Sequence, residues 1–289
     1  MSVAYLNGEF VPLHEAKVSV FDRGFMFADG VYEVTAVVNG TLIDNESHMI
    51  RLERSLGEIA IPVPMPLAQI AALQDELVRR NGLREGTIYI QITRGLGDRY
   101  FHFPERMNPS FVMLTQECEL LSTPEAKTGI RVVSVPDIRW KRRDIKTVAL
   151  VAQVMAKQAA FAAGAGEAWM VEDNMVTEGG SSNAFIVNAD NTIITRKTNS
   201  FILAGVTRKA VIALAKERDI SLEERSFSLK EAYSAREAFL TSASTFVLPI
   251  IQVDDHIIAD GKPGELTRRL REIYLEFVHQ QSGGDGNDK

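Results

Sequence analysis

Two Asn-Gly dipeptides constrain this chain more than any other local feature. Asn7-Gly8 divides "VAYLNGEFVPL" and Asn39-Gly40 divides "VYEVTAVVNGTLID", each between β-prone runs. Asn-Gly suits the two-residue hairpin turn, which needs positive φ at both central positions, so two β-hairpins are expected to open the fold. "PLAQIAALQDELVRRNG" then sets Leu67, Ile70, Leu73, Leu77 and Val78 at helical spacing, with Pro66 at the start and Gly82 at the end. "TIYIQIT" and "SFVMLTQ" have the alternation or apolar content of strands.

From Pro124 to Gly129 the sequence turns polar, and "IRVVSV" begins a second set of elements. A strand ending near Trp140, an Ala-rich helix after Lys146, strands around Ala168 to Val171 and Ala184 to Val187, and a helix from Thr207 to about Arg218 are expected. Ser228 and Glu231 in "SLKEAYSA" have capping-box spacing. Leu266, Leu270, Ile273 and Phe277 share one face of a last helix, and no internal repeat is present. The pattern predicts a small N-terminal α/β domain over 1–121, a linker over 122–132, a large C-terminal domain over 133–281 and a disordered tail over 282–289. The fold class is α+β or α/β, with two domains meeting at a cleft, a common place for a ligand.

A length of 289 residues, 45% hydrophobic and 24% charged, suits such a two-domain globular protein. The formal net charge of -6 argues against a nucleic-acid partner, because replacing phosphate counterions needs a dense basic stripe, and the run from Arg139 to Arg143 is short. The single cysteine, Cys118, excludes an intramolecular disulfide. The N-terminus has no basic region followed by an apolar one, and no apolar run approaches the roughly 20 residues of a membrane helix. A cytoplasmic protein without a membrane partner is the expectation. Five histidines lie without H-x-x-x-H spacing and no cysteine pair exists, so no metal site is predicted.

Three features suggest chemistry. Lys146 lies between Ile145 and Thr147 at the edge of an apolar run, ahead of the Ala-rich helix. Desolvation there favours a neutral amine, the form that condenses with a carbonyl such as the aldehyde of pyridoxal phosphate. The plain alternative is a snorkelling or ion-paired lysine. In "VTEGGSSNAF" a turn accounts for the Gly, Ser and Asn but does not need Glu178, whose carboxylate could pair with a pyridinium nitrogen. "LAGVTRKAVIALAKE" puts Gly205 and Thr207 at a helix start, where free N–H groups attract a phosphate, though Thr207 could be only an N-cap. "TSAST", from Thr241 to Thr245, could add hydroxyls or be only a loop, and Arg51 in "HMIRLERSL" could point inward or outward. An imine-forming lysine, a ring-nitrogen carboxylate and a phosphate cradle are separate requirements of one cofactor, pyridoxal 5'-phosphate.

The ordered set "FDRGFMFADGVYEV", "HMIRL", "ITRG" with "FPE", "DIRWKRRDIKTVAL", "VTEGGSSNAF", "ILAGVTR" and "TSASTFVLPI" resembles the fold-type IV pyridoxal-phosphate enzymes, and within them the D-amino acid aminotransferases. The resemblance runs through most of the chain and implies that family's two-domain fold. It implies that Lys146 is the Schiff-base lysine and the base that moves the substrate α-proton. Glu178 would contact the pyridine nitrogen. Arg51, the Val206 and Thr207 amides and Ser244 would hold the phosphate, with Leu203 also at the cofactor. Tyr32 matches an active-site tyrosine, whereas its sequence context alone suggests cross-strand packing.

The family's α-carboxylate grip is an arginine followed two residues later by a histidine. In "GDRYFHFPE" Arg99 matches the arginine, Phe101 stands at the histidine position, and His102 is one place further on. On a strand that step would turn His102 to the other face, whereas in a loop it could still serve. Arg99 has an alternative as a loop residue paired with Asp98 or Glu105. The expected activity is ping-pong transfer from a D-alanine-like donor to 2-oxoglutarate or pyruvate, with these small molecules and a second copy of the chain as partners. Alternatives within the same fold are a branched-chain L-amino acid aminotransferase, an R-selective amine transaminase and an aminodeoxychorismate lyase. A non-catalytic cofactor-binding protein would not need the full set of Lys146, Glu178, Arg51 and Tyr32.

Overall fold

A computed structural model of the chain describes residues 2–106 and 108–283. Contacts divide it into two compact units. Of the described residues, the first takes those up to Glu119, Ile145–Ala149 and Val278 to Gly283; the second comprises Leu120–Asp144 and Leu150–Phe277.

The first unit is built on an antiparallel sheet of β1 (Val3–Leu6), β2 (Glu9–Pro12), β3 (Gly30–Val38), β4 (Thr41–Leu42), β5 (Glu85–Thr93) and β6 (Ser110–Glu117), in the order β2-β1-β6-β5-β3-β4. Both Asn-Gly turns form as expected: Leu6 pairs with Glu9 and Val38 with Thr41, and φ is positive at Asn7, Gly8, Asn39 and Gly40. A five-residue helix α1 (Arg23–Phe27) precedes β3, and α2 (Asn45–Glu58) and α3 (Leu67–Asn81) follow β4. Gly82 ends α3 at φ 61°, a left-handed cap where a side chain would be strained. Pleating sends Val31, Ile88, Ile90, Ile92, Phe111 and Met113 into a core with Leu52, Leu56, Ile70 and Leu77 of the helices. The opposite face of the sheet carries the half-buried Tyr32, Val34, Tyr89, Gln91, Val112 and Leu114.

Beyond the short β4, the start of β3 finds a different neighbour. The Tyr32 N–H donates to the Lys146 carbonyl at 3.0 Å and the Val148 N–H to the Gly30 carbonyl at 3.1 Å, with Val31 opposite Thr147. Residues 146–148 thus satisfy backbone groups of β3 that would otherwise lack a partner.

The second unit holds α4 (Pro124–Thr128), β7 (Ile130–Pro136), α5 (Val151–Ala162), β8 (Glu167–Glu172), β9 (Met175–Gly179), β10 (Asn183–Val187), β11 (Ile193–Thr195), α6 (Val206–Glu217), β12 (Leu222–Glu224), α7 (Leu229–Tyr233), β13 (Glu237–Ser242), β14 (Phe246–Val253), β15 (His256–Ile257) and most of α8 (Glu265–Gln281). Its mixed sheet runs β12-β11-β10-β13-β14-β7-β8-β9, with β15 on β14, and pairs in parallel at β14–β7, β7–β8 and β11–β12. Ser228 and Glu231 form the expected capping box on α7.

Several expectations need correction. The 122–132 segment is not a plain linker: Pro124 starts α4, and β7 begins at Ile130 and pairs with β14. The second unit starts at Leu120 and is interrupted by 145–149, because the backbone bonds of that short segment go to β3. The strand expected to end near Trp140 ends at Pro136. On α8 the buried residues are Thr267, Leu270, Arg271, Ile273, Tyr274 and Val278, while Leu266 and Phe277 are half-buried. The Glu237 carboxylate sets that face by accepting from the Leu266 and Thr267 N–H groups at the start of the helix. Of the proposed tail, residues 284–289 lie outside the described residues.

Candidate active site

Each unit carries its own constellation. In the first, the Lys146 ammonium lies 3.9 Å from the centroid of the Tyr32 ring, a cation–π arrangement that holds a half-buried amine with no acidic partner among the described residues. Tyr32 in turn stacks on Tyr89 at 5.7 Å, and the Tyr89 hydroxyl donates to Gln91 Oε1 at 2.8 Å. Burial, and then the neighbouring Tyr32, push the Tyr89 phenol up to about 12, so it stays neutral. Alternation on β3 and β5 puts all three side chains on the half-buried face of the sheet.

Arg51 points inward. Its Nε and Nη2 donate to Glu33 Oε1 and Oε2 at 2.7 and 2.8 Å, and His48 Nδ1 lies 2.8 Å from Glu33 Oε2. Burial raises the Glu33 carboxyl, but Arg51 and His48 outweigh it and hold the group well below the usual carboxylate range. Burial pushes the His48 ring down, against the pull of Glu33, so the neutral ring donates from Nδ1. Arg54 is exposed and pairs with Glu58.

Arg99 and His102 sit on an exposed loop. Two buried arginines hold that loop: Arg23 and Arg94 share the Asp29 carboxylate, Arg23 also donates to the Tyr100 carbonyl at 2.7 Å, and Arg94 lies 3.6 Å over the Phe103 ring. Arg99 faces the Phe27 ring and His102 stacks on Tyr100. Among the described residues Arg99 pairs with neither Asp98 nor Glu105. Among the described residues no hydrogen bond joins Arg99 or His102 to Lys146 or Tyr32.

The second unit holds Glu178, on strand β9 rather than in the expected turn. Its Oε2 accepts from Asn183 Nδ2 and the Leu203 N–H, both at 3.0 Å, and its Oε1 accepts from Arg139. Burial pushes its carboxyl up, and Arg139 is the largest opposing influence. All three neighbours are donors, which suits an acceptor-only carboxylate, since a protonated carboxyl would have no acceptor to receive its O–H. The run from Arg139 to Arg143 is therefore no basic surface stripe. Arg139 and Arg143 are buried on Asp137, Arg143 also reaches Glu172, Lys141 pairs with Glu172, and Arg142 with Asp144.

Helix α6 starts at Val206, with Gly205 as N-cap and no side-chain cap, so Thr207 lies inside the first turn rather than capping it. A Cβ at Gly205 would collide with Asn183 Oδ1, and Asn183 also donates to the Leu203 carbonyl at 3.0 Å. One asparagine thus ties the Glu178 carboxylate to the loop that leads into α6. Ser244 is exposed at the turn between β13 and β14, with its hydroxyl 3.2 Å from that of Ser242.

The amino-transferase class IV family matches residues 30–253, well over half of the chain. The chain belongs to the class IV aminotransferase family. The protein is accordingly an aminotransferase with that family's fold-type IV architecture. It is 38% identical to the D-alanine aminotransferase of Staphylococcus aureus strain N315, over 98% of this chain and 100% of that protein. A branched-chain amino acid aminotransferase of Escherichia coli shares the fold with a TM-score of 0.92 at 21% identity, over 99% of this chain and 97% of that one. The branched-chain amino acid aminotransferase of Thermoproteus uzoniensis, solved with norvaline, aligns with a TM-score of 0.84 at 27% identity, over 99% and 96%.

In this class IV aminotransferase, sequence reasoning missed Glu33, His48, Tyr89, Gln91, Asn183 and the inward role of Arg139. A signal existed for Glu33, a carboxylate inside the apolar strand "VYEVTAVV" that must find a cation when buried. His48 and Arg51, three residues apart on α2, share a helical face that could have supplied it. No comparable signal marked Arg139, whose partner Glu178 is 39 residues away.

Proposed function

We propose that this aminotransferase works with pyridoxal 5'-phosphate and moves the amino group of a D-amino acid, typified by D-alanine, to a 2-oxo acid such as 2-oxoglutarate or pyruvate. The structural observation that carries the reading is Glu178, a buried carboxylate engaged by three donors with one acceptor position left for a ring N–H. The uncapped start of α6 fits a phosphate, and Lys146 offers an amine with no carboxylate partner among the described residues. A branched-chain relative of the same fold, 26% identical to this chain, was solved with pyridoxamine 5'-phosphate, which supports the cofactor. The D-amino acid donor is supported by the identity to the staphylococcal D-alanine aminotransferase.

Pyridoxal phosphate, when bound, supplies an aldehyde that captures the donor's amino group and a ring that draws electrons from its α-carbon. The Lys146 amine would hold the aldehyde and, once the donor displaces it, would take the proton from the donor's Cα and carry it as an ammonium. Glu178 would keep the ring nitrogen protonated. Arg51, the Val206 and Thr207 amides and the Ser244 hydroxyl would hold the phosphate, and Leu203 would contribute to the cofactor site. Tyr32 steadies the Lys146 amine and meets the substrate, while Arg99, with His102 beside it, grips the α-carboxylate common to donor and acceptor.

We place the enzyme in the cytoplasm as a homodimer. One cysteine and the absence, among the described residues, of a helix able to cross a membrane support the first part. Exposed Val151, Val154, Met155 and Phe161 on α5 support the second, because apolar surface of this kind marks interaction sites.

The test is the absorption spectrum of the purified protein, with D-alanine and then L-leucine added in the absence of an acceptor. Conversion of the visible band of the bound cofactor by D-alanine alone is the expected result. Conversion only by L-leucine would move the reading to a branched-chain L-amino acid aminotransferase, and no band with added pyridoxal phosphate would overturn the cofactor assignment.

A further inference from the structure

Glu178 is aimed as well as buried. A carboxylate has about four lone-pair positions; Asn183 and the Leu203 N–H fill those of Oε2, and Arg139 takes one on Oε1. The far side of the Arg139 guanidinium is fixed in turn, because Nε and Nη2 donate to Asp137 Oδ1 and Oδ2 at 3.0 and 2.7 Å. Asp137 also accepts from the Thr177 hydroxyl at 2.6 Å and lies 3.2 Å from Arg143. Only 6% of the Arg139 side chain is exposed. The planar fork therefore has one orientation available, and its remaining donor, Nη1, ends on Glu178.

We propose that Arg139 is a positioning residue, which fixes the rotation of the Glu178 carboxylate so that its one open lone pair, on Oε1, receives the pyridine N–H of the cofactor. The proposal rests on the cofactor reading above. Without Arg139, Oε1 has no hydrogen-bond partner among the described residues. The carboxylate then stands buried with only Asn183 and Leu203 against it, which favours its neutral form and loosens the alignment. A lysine at this position keeps the charge but loses the fork that ties Asp137 to Glu178.

The test is a double-mutant cycle on the dissociation constant of pyridoxal phosphate, read by quenching of protein fluorescence, with the pH titration of the bound-cofactor absorbance as a second readout. Arg139→Gln and Glu178→Gln should each weaken binding roughly tenfold or more, the size of a lost charge-assisted hydrogen bond. In the Glu178→Gln background, Arg139→Gln should add less than about twofold, because its effect passes through Glu178. Arg139→Lys should shift the absorbance titration in the wild-type background and leave it unmoved in Glu178→Gln, which keeps the test decisive if Arg139→Gln does not fold. Factors that multiply independently, or wild-type affinity and titration in both Arg139 variants, would overturn the proposal. Failure of the wild-type protein to bind pyridoxal phosphate would sink the cofactor reading itself, a result distinct from either.

Discussion

Lys146 and Tyr32 are joined twice: the ammonium lies 3.9 Å from the ring centroid, and the Tyr32 N–H donates to the Lys146 carbonyl at 3.0 Å. Backbone pairing fixes where the lysine starts, and the ring fixes where its amine ends. Replacement of Lys146 by Ala removes the amine and keeps the backbone bonds. Turnover of every substrate should fall roughly thousandfold or more, the scale of a lost general base, with little change in melting temperature. Steady-state kinetics beside a thermal scan checks both parts, and retained activity would remove Lys146 from the mechanism.

Gly205→Ala tests the asparagine that ties Glu178 to α6. The added Cβ meets Asn183 Oδ1, so Asn183 must move and release either Glu178 or the Leu203 carbonyl. Pyridoxal phosphate affinity should drop several-fold, on the order of one buried hydrogen bond. Unchanged affinity in a fluorescence titration would show that Asn183 has no part in the site.

These cases also show where the sequence stops being informative. The Asn-Gly hairpins, α3 with Gly82 at its end and the capping box of α7 rest on contacts between near neighbours, and they appear as expected. In the sequence Lys146 only precedes a helix, whereas its backbone partner is Tyr32, far earlier in the chain. Glu178 has the local context of a turn because Gly179, Gly180 and two serines follow it; pairing of β9 with β8 makes it a strand residue. Arg139 looks like one member of a basic run, since no local pattern reports that Asp137 and Glu178 bury it. The family resemblance supplies the candidate roles of Lys146 and Glu178, and the structure supplies the neighbours through which they act, Arg139 among them.

His48 should make stability pH-dependent in a defined window. Burial depresses its pKa in the folded protein, while in the unfolded chain the ring takes a proton near pH 6.5. Below about that pH the unfolded state binds more protons than the native one, so stability falls as the pH drops. The depressed Glu33 carboxyl acts in the same direction at lower pH, below its unfolded value of about 4.3. Urea unfolding at pH 7.5 and 5.5 should show a loss for the wild-type protein and a smaller one for His48→Gln. Equal losses would mean that another group carries the window.

Arg99→Ala should raise KM for amino acids and 2-oxo acids far more than for simple amines, which have no carboxylate to grip. Arg99 is exposed and, among the described residues, its contact is with the Phe27 ring, so the fold should tolerate its loss. Equal effects on both substrate classes would count against the carboxylate grip.

Leu52 of α2 is fully buried in the core of the first unit. Leu52→Ala should destabilise the protein by roughly 2–5 kcal/mol through lost transfer energy and the cavity left behind. Chemical denaturation measures that loss directly, and a cost below about 1 kcal/mol would mean that the site collapses around the smaller side chain.

The assignment of 145–149 to the first unit sets an order of events during synthesis. The Gly30 carbonyl and Tyr32 N–H are made early, but the residues that bond them emerge only after α4 and β7. A nascent chain ending at Glu119 would therefore expose the start of β3 as a raw sheet edge, open to pairing with other chains. The segment that carries Lys146 closes that edge once it is made, so the residue proposed for catalysis belongs to the stretch that ends this exposure.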